Sequence, residues 1–473
     1  MLCHSRSFLL LSALAGFSLP GLVRADPPHD GYLDTTWGWF DSGKSIVPFD
    51  LGGDLLDHAT GSAMGADGSL FLAGSVTDAN GVRRIGVAKL GPDGTLDMNF
   101  GDDGRVLSPA IEGRMTGMAL VRRNNTLYVG GYHDTQGAGA RDFAVCVFST
   151  GGVPLNFLGT GTSCVTAAFD IGVSKEDLAY GVAVQPDGKI VLAGTIAVNA
   201  DDDTLAAFAR FKTDGTLDTS FAGTGRRILR TANIFQRHRV RSVAIAANGK
   251  IVAVGGTDVV GGADAGALVI RLNADGSNDP LSGTPELAFA VDGSPNRDTE
   301  LNDLLLEDAP NSTDDRIVVV GYAQTPGNPG GRNRLIARLN PNGTFDASFS
   351  GGDGSDGYYI SGGAAGTVGE FRSVARQAGS GAYFAAGTFT LPDAATDLNL
   401  CRFAADGSTA TYFENAGCVA VDFGLAGAFE AGGDVLVQGD GIYLSGTGFK
   451  GETDGDFVAA KFTVDRIFAG GFD

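Results

Sequence analysis

Two stretches decide the fold of this chain: Val184-Gln185-Pro186-Asp187-Gly188-Lys189-Ile190-Val191-Leu192-Ala193-Gly194, followed by Phe208-Ala209-Arg210-Phe211-Lys212-Thr213-Asp214-Gly215-Thr216-Leu217-Asp218. Each holds an Asp-Gly turn next to apolar residues, which predicts strand, turn, strand, loop, strand and turn. Ahead of the first turn, Tyr180, Val182 and Val184 alternate with small residues, and this is the period of a half-buried strand.

The second of these turns recurs along the chain and serves as a ruler for counting repeats. Seven intervals of about 60 residues separate its successive copies, so the sequence predicts seven repeats. A fourth strand follows the ruler turn, as in residues 226–229, so each repeat holds four strands. The equivalent positions are Gly31, Gly94, Gly152, Gly215, Gly276, Gly343, Gly407 and, in altered form, Arg466.

Four strands in each of seven repeats predict an all-β fold, a seven-bladed β-propeller of four-stranded blades. The termini indicate closure, because residues 30–37 and 465–472 occupy the same place in the repeat. A strand around Ser45 to Phe49 is then expected to complete the last blade and cover its edge. An open β-solenoid is the alternative. Each second strand is expected to end on a glycine, at Gly74, Gly130, Gly194, Gly255, Gly321, Gly387 and Gly446.

The repeat resembles the delta-60 repeat family, on the strength of residues 185–190, 208–211 and 214–221. The resemblance covers nearly the whole chain after its N-terminal segment, and it is strongest in the third repeat. It implies a propeller-like, exported bacterial protein and implies no established activity.

Composition and charge narrow the classes of function. With 43% hydrophobic and 19% charged residues, the chain can bury a large core, and its net charge of -21 argues against a nucleic-acid partner. Arg6, an apolar run over residues 8–17 and Val23-Arg24-Ala25 predict a signal peptide over residues 1–25. We therefore expect residues 26–473 to form one exported propeller domain, monomeric and without a transmembrane segment, in the periplasm, outside the cell or at its surface.

Four cysteines follow the predicted signal peptide, and four cysteines allow three pairings. Cys146 and Cys401 occupy the same third-strand position of their repeats, and Cys164 and Cys418 the same fourth-strand position. We predict the disulfides Cys146–Cys164 and Cys401–Cys418, each joining neighbouring strands of one blade. Metal-bound or free thiolates are the alternative, although Cys-x-x-Cys spacing is missing.

An aspartate recurs three residues after the ruler glycine, but the two cysteine-bearing repeats have Leu155 and Ala410 there. We hypothesise that the aspartate holds the turn in ordinary blades and that the disulfide replaces this restraint elsewhere. A basic residue also recurs on the third strand, and its repetition indicates a structural role. The aspartates are Asp34, Asp97, Asp218, Asp279 and Asp346, and the basic residues are Lys89, Arg210, Arg271, Arg338, Arg402 and Lys461.

Two features break the repeat and are candidate sites on the rim that carries the connections between blades. An acidic loop, Asp201, Asp202 and Asp203, offers oxygen ligands for calcium, or is a plain solvated loop. A basic cluster is suited to an anionic polysaccharide or phosphate, or its members pair with local acids. The cluster comprises Arg226, Arg227, Arg230, Arg237, His238, Arg239 and Arg241.

The sequence contains none of the ligand or nucleophile spacings typical of zinc enzymes, α/β-hydrolases or P-loop proteins. The expected function is therefore a non-enzymatic binding or surface-interaction propeller, with a glycan or an anionic polymer as its ligand. The alternatives are a propeller enzyme acting on a polysaccharide, which needs acids or a Tyr/His/Arg set facing the channel, and a purely structural cell-surface repeat protein.

Overall fold

The computed structural model describes residues 31–52, 56–135, 140–171, 175–198, 203–229, 236–259, 265–279, 286–287, 298–310, 312–325, 328–349, 357–361, 368–390, 396–410, 413, 417–425, 430–450 and 454–464. Their secondary structure is almost entirely β, with one short 3-10 turn at Trp39–Asp41. The predicted all-β class is confirmed. No helix in these ranges is long and apolar enough to span a membrane.

Twenty-nine strands follow one another in the described part of the chain. They are β1 (Tyr32–Leu33), β2 (Lys44–Val47), β3 (His58–Met64), β4 (Leu70–Thr77), β5 (Arg83–Leu90), β6 (Arg105–Leu107), β7 (Arg114–Arg123), β8 (Thr126–Thr135), β9 (Ala140–Ser149), β10 (Cys164–Ala167), β11 (Asp177–Val184), β12 (Ile190–Ala197), β13 (Thr204–Phe211), β14 (Arg226–Leu229), β15 (Gln236–Ile245), β16 (Ile251–Val259), β17 (Ala265–Leu272), β18 (Glu286–Leu287), β19 (Thr299–Glu307), β20 (Arg316–Thr325), β21 (Asn328–Leu339), β22 (Tyr358–Ile360), β23 (Val368–Arg376), β24 (Tyr383–Thr390), β25 (Thr396–Phe403), β26 (Cys418–Val421), β27 (Glu430–Gln438), β28 (Gly441–Phe449) and β29 (Gly455–Thr463).

These strands pair antiparallel in chain order, four at a time. Separate four-stranded sheets hold β3 to β6, β7 to β10, β11 to β14 and β15 to β18. The groups β19 to β22 and β23 to β26 have the same order and are linked into one eight-stranded sheet by a single parallel bridge between Arg332 and Val368. Within the residues that the structure describes, no sheet closes on itself.

The last sheet combines the two ends of the chain. Strands β27, β28 and β29 come from the C-terminal part, and β2 pairs antiparallel with β29, with Ser45 opposite Ala459. The short strand β1 also pairs with β29, with Tyr32 opposite Thr463. An N-terminal strand thus completes the C-terminal sheet, as predicted, and it spans Lys44–Val47. Residues 465–472, which occupy the same place in the repeat as residues 30–37, lie outside the described ranges.

A β-bulge interrupts the first strand of each group. It explains why a glycine recurs at one place in the second strands. In β15 the pairing slips between Val240 and Ser242, so Arg241 is left out of register. The backbone there approaches β16 so closely that a Cβ at Gly255 would overlap the carbonyl oxygen of Arg239. The prediction that second strands end at this glycine is wrong, because β16 continues to Val259. The glycine is required by close backbone approach within the strand.

Aromatic side chains after the ruler turn connect neighbouring sheets. Four of these rings are phenylalanines, and each packs against the ruler glycine of the next repeat. A Cβ added at that glycine would lie only 2.5–3.0 Å from the nearest ring atom. A Cβ added at Gly94 would overlap the buried ring of Trp37 in the same way. Each glycine is therefore needed to seat the preceding ring. The phenylalanine contacts are Phe157 on Gly215, Phe221 on Gly276, Phe349 on Gly407 and Phe413 on Gly31.

The hydrophobic core lies between neighbouring sheets. One cluster joins Phe384 and Leu400 of β24 and β25 to Ile442 and Phe462 of β28 and β29. Trp37 belongs to the cluster that joins β2 and β29 to β4 and packs edge-on against Tyr443. Trp37 therefore packs the closing sheet, whereas the side chain of Trp39 is half exposed.

The repeated aspartates and the repeated basic residues form one ion pair in each ordinary repeat. Arg210 lies 2.9 Å from Asp218, whose other oxygen accepts bonds from the backbone and hydroxyl of Ser220. Although burial opposes ionisation of Asp218, the Ser220 bonds and the Arg210 charge hold its pKa at about 2. The corresponding pairs, 2.7–2.8 Å apart, are Lys89–Asp97, Arg271–Asp279, Arg338–Asp346 and Lys461–Asp34.

Both predicted disulfides are present. Cys146 lies directly opposite Cys164 across β9 and β10, and Cys401 lies opposite Cys418 across β25 and β26. Their presence favours an oxidising environment of the kind that exported proteins meet. The hypothesis that they replace the restraint of the aspartate pair stays a prediction.

Candidate functional site

A cavity of about 540 Å³ lies where the first strands of the groups meet. Residues of β3, β7, β11, β15, β19, β23 and β27 line it, mostly at their bulges, because a bulge turns its extra residue away from the ladder. The lining is one-sided. Charged and tyrosine side chains cover the part formed by β11 to β23, whereas the part formed by β3, β7 and β27 holds one charged residue, Asp434, among uncharged residues such as Thr60, Met118 and Gly433.

The first charged group is Arg239–Glu300–Arg241, shared by β15 and β19. Both arginines point Nε at Oε1 of Glu300, at 3.6 Å from Arg239 and 2.6 Å from Arg241. Burial opposes ionisation of Glu300, but the charges of Arg241 and Arg239 hold its pKa below the ordinary value. Burial likewise disfavours charge on Arg241, yet the Glu300 charge raises the pKa of Arg241. One carboxylate between two guanidinium groups leaves a formal charge of one positive.

The second charged group is Arg332–Glu370–Arg372, contributed by β21 and β23. Arg332 Nη1 donates to Glu370 Oε2 at 3.2 Å, and Arg372 Nη2 contacts the other carboxylate oxygen. Both arginines are about half exposed, whereas the Glu370 side chain is buried. This group also carries one net positive charge, with its cations facing solvent.

Two tyrosines organise these cations. The Tyr322 hydroxyl donates to Glu300 Oε2 at 3.2 Å, and the Arg332 guanidinium lies 4.3 Å from the centre of the Tyr322 ring. Tyr322 therefore touches both charged groups. The Arg241 guanidinium lies 4.9 Å from the Tyr180 ring. Such stacking holds guanidinium planes in fixed orientations.

Two partly buried aspartates in the cavity lining also tie the first strands together. Asp303 of β19 accepts bonds from Ser242 Oγ at 2.8 Å and from the Val374 backbone at 3.1 Å. Burial raises the pKa of Asp303 to about 6, and the charge of Asp434 adds to the effect. Asp434 itself accepts bonds from the hydroxyls of Ser373 and Ser62, both at 2.7 Å, and burial raises its pKa as well.

The structure distributes the predicted basic cluster over several places. Arg241 lines the cavity and Arg239 shares its carboxylate partner, whereas Arg226 and Arg227 lie on β14, the fourth strand of its sheet. His238 is buried because alternation along β15 turns it away from its arginine neighbours. The six described members of the cluster therefore do not form one continuous surface patch. Arg230 lies outside the described residues.

The predicted calcium loop is only partly described. Asp201 and Asp202 lie outside the described residues, and Asp203 Oδ1 is 3.3 Å from Arg237 Nε, a member of the basic cluster. Over the described ranges, no group of three or more His, Cys, Asp or Glu side chains is placed to hold a metal ion. Calcium binding by the loop stays a prediction.

Sequence reasoning missed most of the site, namely Tyr180, Glu300, Tyr322, Arg332, Glu370 and Arg372. One signal was available for part of it. When the first strands are aligned at their bulges, Tyr180, Arg241 and Arg372 share a position with Thr60 and Met118, so three large polar side chains break the repeat there.

Four segments of the chain match a known family. Residues 65–100, 185–221, 246–281 and 313–349 match the model described as "Domain of unknown function (DUF5122) beta-propeller". The matches support a propeller repeat family of unknown function, consistent with the expected architecture. No curated protein matches the chain.

Several solved structures are similar in fold. A polysaccharide lyase has 11% sequence identity and a TM-score of 0.40 over 77% of this chain and 92% of its own. A Trypanosoma rangeli sialidase bound to the inhibitor DANA has 11% identity and a TM-score of 0.39 over 78% of this chain and 57% of its own. The β-propeller domain of a Pyrococcus furiosus protease has 9% identity and a TM-score of 0.33 over 70% and 81%. At these TM-scores the likeness carries no argument about ligand or chemistry.

Proposed function

We propose that this chain is an exported, non-enzymatic propeller that binds an acidic glycan in the cavity formed by its first strands. The observation that carries the proposal is the set of arginines there: Arg241, Arg332 and Arg372 line the cavity, and the two charged groups together hold four arginines and two glutamates. The other two carboxylates of the lining, on Asp303 and Asp434, accept bonds from serine hydroxyls. In a chain with net charge -21, such a region attracts anions to one place. A planar guanidinium matches a carboxylate by paired hydrogen bonds.

The proposal includes a closed ring of seven blades. Seven first strands contribute to one cavity, and the Asp434 carboxylate of β27 accepts bonds from Ser62 of β3, the first and last of these strands. The contact of Phe413 with Gly31 likewise links the sheet of β23 to β26 with the N-terminal turn. These links support closure over the alternative open solenoid.

The tyrosine in the cavity is better suited to binding than to catalysis. Tyr322 and Glu300 are neighbours in the site, and a tyrosine beside a carboxylate is a combination that some enzymes use as nucleophile and base. Burial, and then the negative charge of Glu300, raise the pKa of Tyr322 to about 12, so the phenol stays protonated at neutral pH. A protonated phenol bonded to a carboxylate is suited to holding Glu300 and Arg332 in place.

Export is supported by the two disulfides, which are stable in oxidising compartments. The predicted signal peptide, residues 1–25, and a monomeric state stay predictions. A further prediction is that the chain binds its glycan without a metal.

The proposal is tested by thermal unfolding and calorimetric titration of the full chain with uronate oligosaccharides and with neutral oligosaccharides of the same length. A ligand that binds only the native state raises the melting temperature. We expect a rise with uronates alone, weakened by salt, and lost in Arg241→Gln but kept in Lys212→Gln, which removes an exposed charge elsewhere. Chromatography of the same mixtures reports cleavage. New products would establish an enzyme, and no shift with any acidic glycan would favour a structural scaffold.

A further inference from the structure

The cations of the cavity are arranged as two separate groups of the same composition. Arg239–Glu300–Arg241 and Arg332–Glu370–Arg372 each place one carboxylate between two guanidinium groups. The exposed fractions of the glutamate side chains are 8% and 9%, whereas those of the arginines are 29% and 32% in the first group and 47% and 49% in the second. Each group therefore hides its negative charge and presents positive charge to the cavity.

The glutamates use only part of each guanidinium. Arg241 engages Glu300 through Nε, and Arg332 engages Glu370 through Nη1. A guanidinium carries five N–H donors, so the remaining donors of both arginines can meet a further anion. With one carboxylate between two arginines, each group can accept one more negative charge before it becomes neutral.

The distance between the groups is fixed by a shared residue. Tyr322 bonds to Glu300 of one group and lies under Arg332 of the other, at 3.2 Å and 4.3 Å. Arg241 is stacked on Tyr180 in the same way. Because these rings orient the arginines before a ligand arrives, less side-chain freedom is lost on binding.

We infer that the cavity binds two carboxylates at once, one at each Arg–Glu–Arg group, so that its ligand is an oligosaccharide with two neighbouring acidic sugars. The inference rests on the proposed function and specifies its ligand class. A cavity of about 540 Å³ is in the size range of small-ligand sites. On the opposite side, which includes Thr60, Met118 and Gly433, the one carboxylate in the lining is Asp434, whose oxygens accept bonds from the hydroxyls of Ser373 and Ser62.

The test varies ligand charge at constant ligand size. Digalacturonate and a β-linked glucuronate dimer are titrated into the full chain as free diacids, as monomethyl esters and as dimethyl esters. A second charge-assisted contact is expected to make the diacid bind about tenfold tighter than the monoester, with the diester weakest. Arg241→Gln and Arg372→Gln each remove one group's excess charge, and each should lower the diacid's advantage to about twofold. Arg241→Lys and Arg372→Lys keep the charge and the glutamate's partner, so part of the advantage remains even if the glutamine variants unfold.

The outcomes separate the two proposals. Equal affinity of diacid and monoester, lost together in both glutamine variants, would leave an acidic-glycan site standing and overturn the two-carboxylate inference. Failure of every acidic dimer to bind would overturn the proposed function itself. A diacid preference that Lys212→Gln abolishes as fully as Arg241→Gln would place binding outside the cavity and also overturn the inference.

Discussion

Replacing Asp303 with asparagine should make the protein more stable relative to wild type as the pH rises. The pKa of Asp303 is about 6 in the folded chain, against 3.8 for an ordinary aspartate, because its carboxyl is buried and faces Asp434. A raised carboxyl pKa means that the folded state holds the proton more tightly. The stability from this group is complete below pH 3.8 and is lost as the pH rises through 6. At pH 8 the loss amounts to about 3 kcal/mol.

The asparagine side chain removes this titration and keeps nearly the same shape. Its carbonyl can still accept from Ser242, but its amide group faces the Val374 backbone donor, so a bond worth about 1 kcal/mol is lost at every pH. We therefore expect Asp303→Asn to be slightly less stable than wild type at pH 4 and to gain up to about 3 kcal/mol on it by pH 8.

Urea unfolding at pH 4, 5, 6, 7 and 8 measures this difference. Asp214→Asn is the matched control, because bonds from Thr216 lower the pKa of that carboxyl and no gain should appear between pH 4 and 8. Asp434→Asn provides a second check, since loss of its charge should move the titration of Asp303 to lower pH. If the difference in unfolding free energy between Asp303→Asn and wild type stays constant from pH 4 to 8, the pKa of Asp303 is not raised by folding.

Three further predictions concern the repeat itself. Asp218→Ala should destabilise the chain by about 1.5–3 kcal/mol, because a buried arginine loses its partner, and an unchanged urea midpoint would remove the basis for the turn hypothesis. Changing both Cys146 and Cys164 to serine removes a disulfide that closes a loop with a sequence separation of 18, and should lower the free energy of unfolding by about 3 kcal/mol. Equal urea midpoints with and without the disulfide would contradict this expectation. Gly255→Ala should lower the free energy of unfolding by about 3 kcal/mol, because the added Cβ overlaps the backbone of the neighbouring strand. Gly266→Ala, where the added Cβ makes ordinary contacts, should be nearly neutral. Equal melting temperatures of the two variants would show that the close approach at Gly255 is absent.

The repeat made much of the fold predictable, because its turns fix strand register. Cys146 and Cys164 could be paired from sequence since two equivalent repeats place their cysteines on adjacent strands, and the structure sets them directly opposite. The closing strand was predictable for the same reason, since the N-terminal residues continue a repeat that the C-terminus begins. The role of Gly255 was misread because a close backbone approach and a chain turn leave the same residue in the sequence.

The cavity could not be assembled from sequence, for a geometric reason. Arg241, Glu300 and Arg332 come from three strands of two sheets, and what brings them together is the approach of first strands around the cavity. Which residue of a first strand faces the cavity depends on its bulge, and a bulge in β15 decides between Arg241 and its neighbours. The repeat predicts that strand but does not predict the slip in its pairing.

The binding of an acidic glycan by two Arg–Glu–Arg groups in one cavity can be observed in a crystal structure of the full chain with digalacturonate. We expect one sugar carboxylate within hydrogen-bond distance of Arg241 and the next within reach of Arg332 or Arg372, with Tyr322 between them. A sugar bound on the outer strands, beside Arg226 and Arg227, with the cavity holding only water, would contradict it.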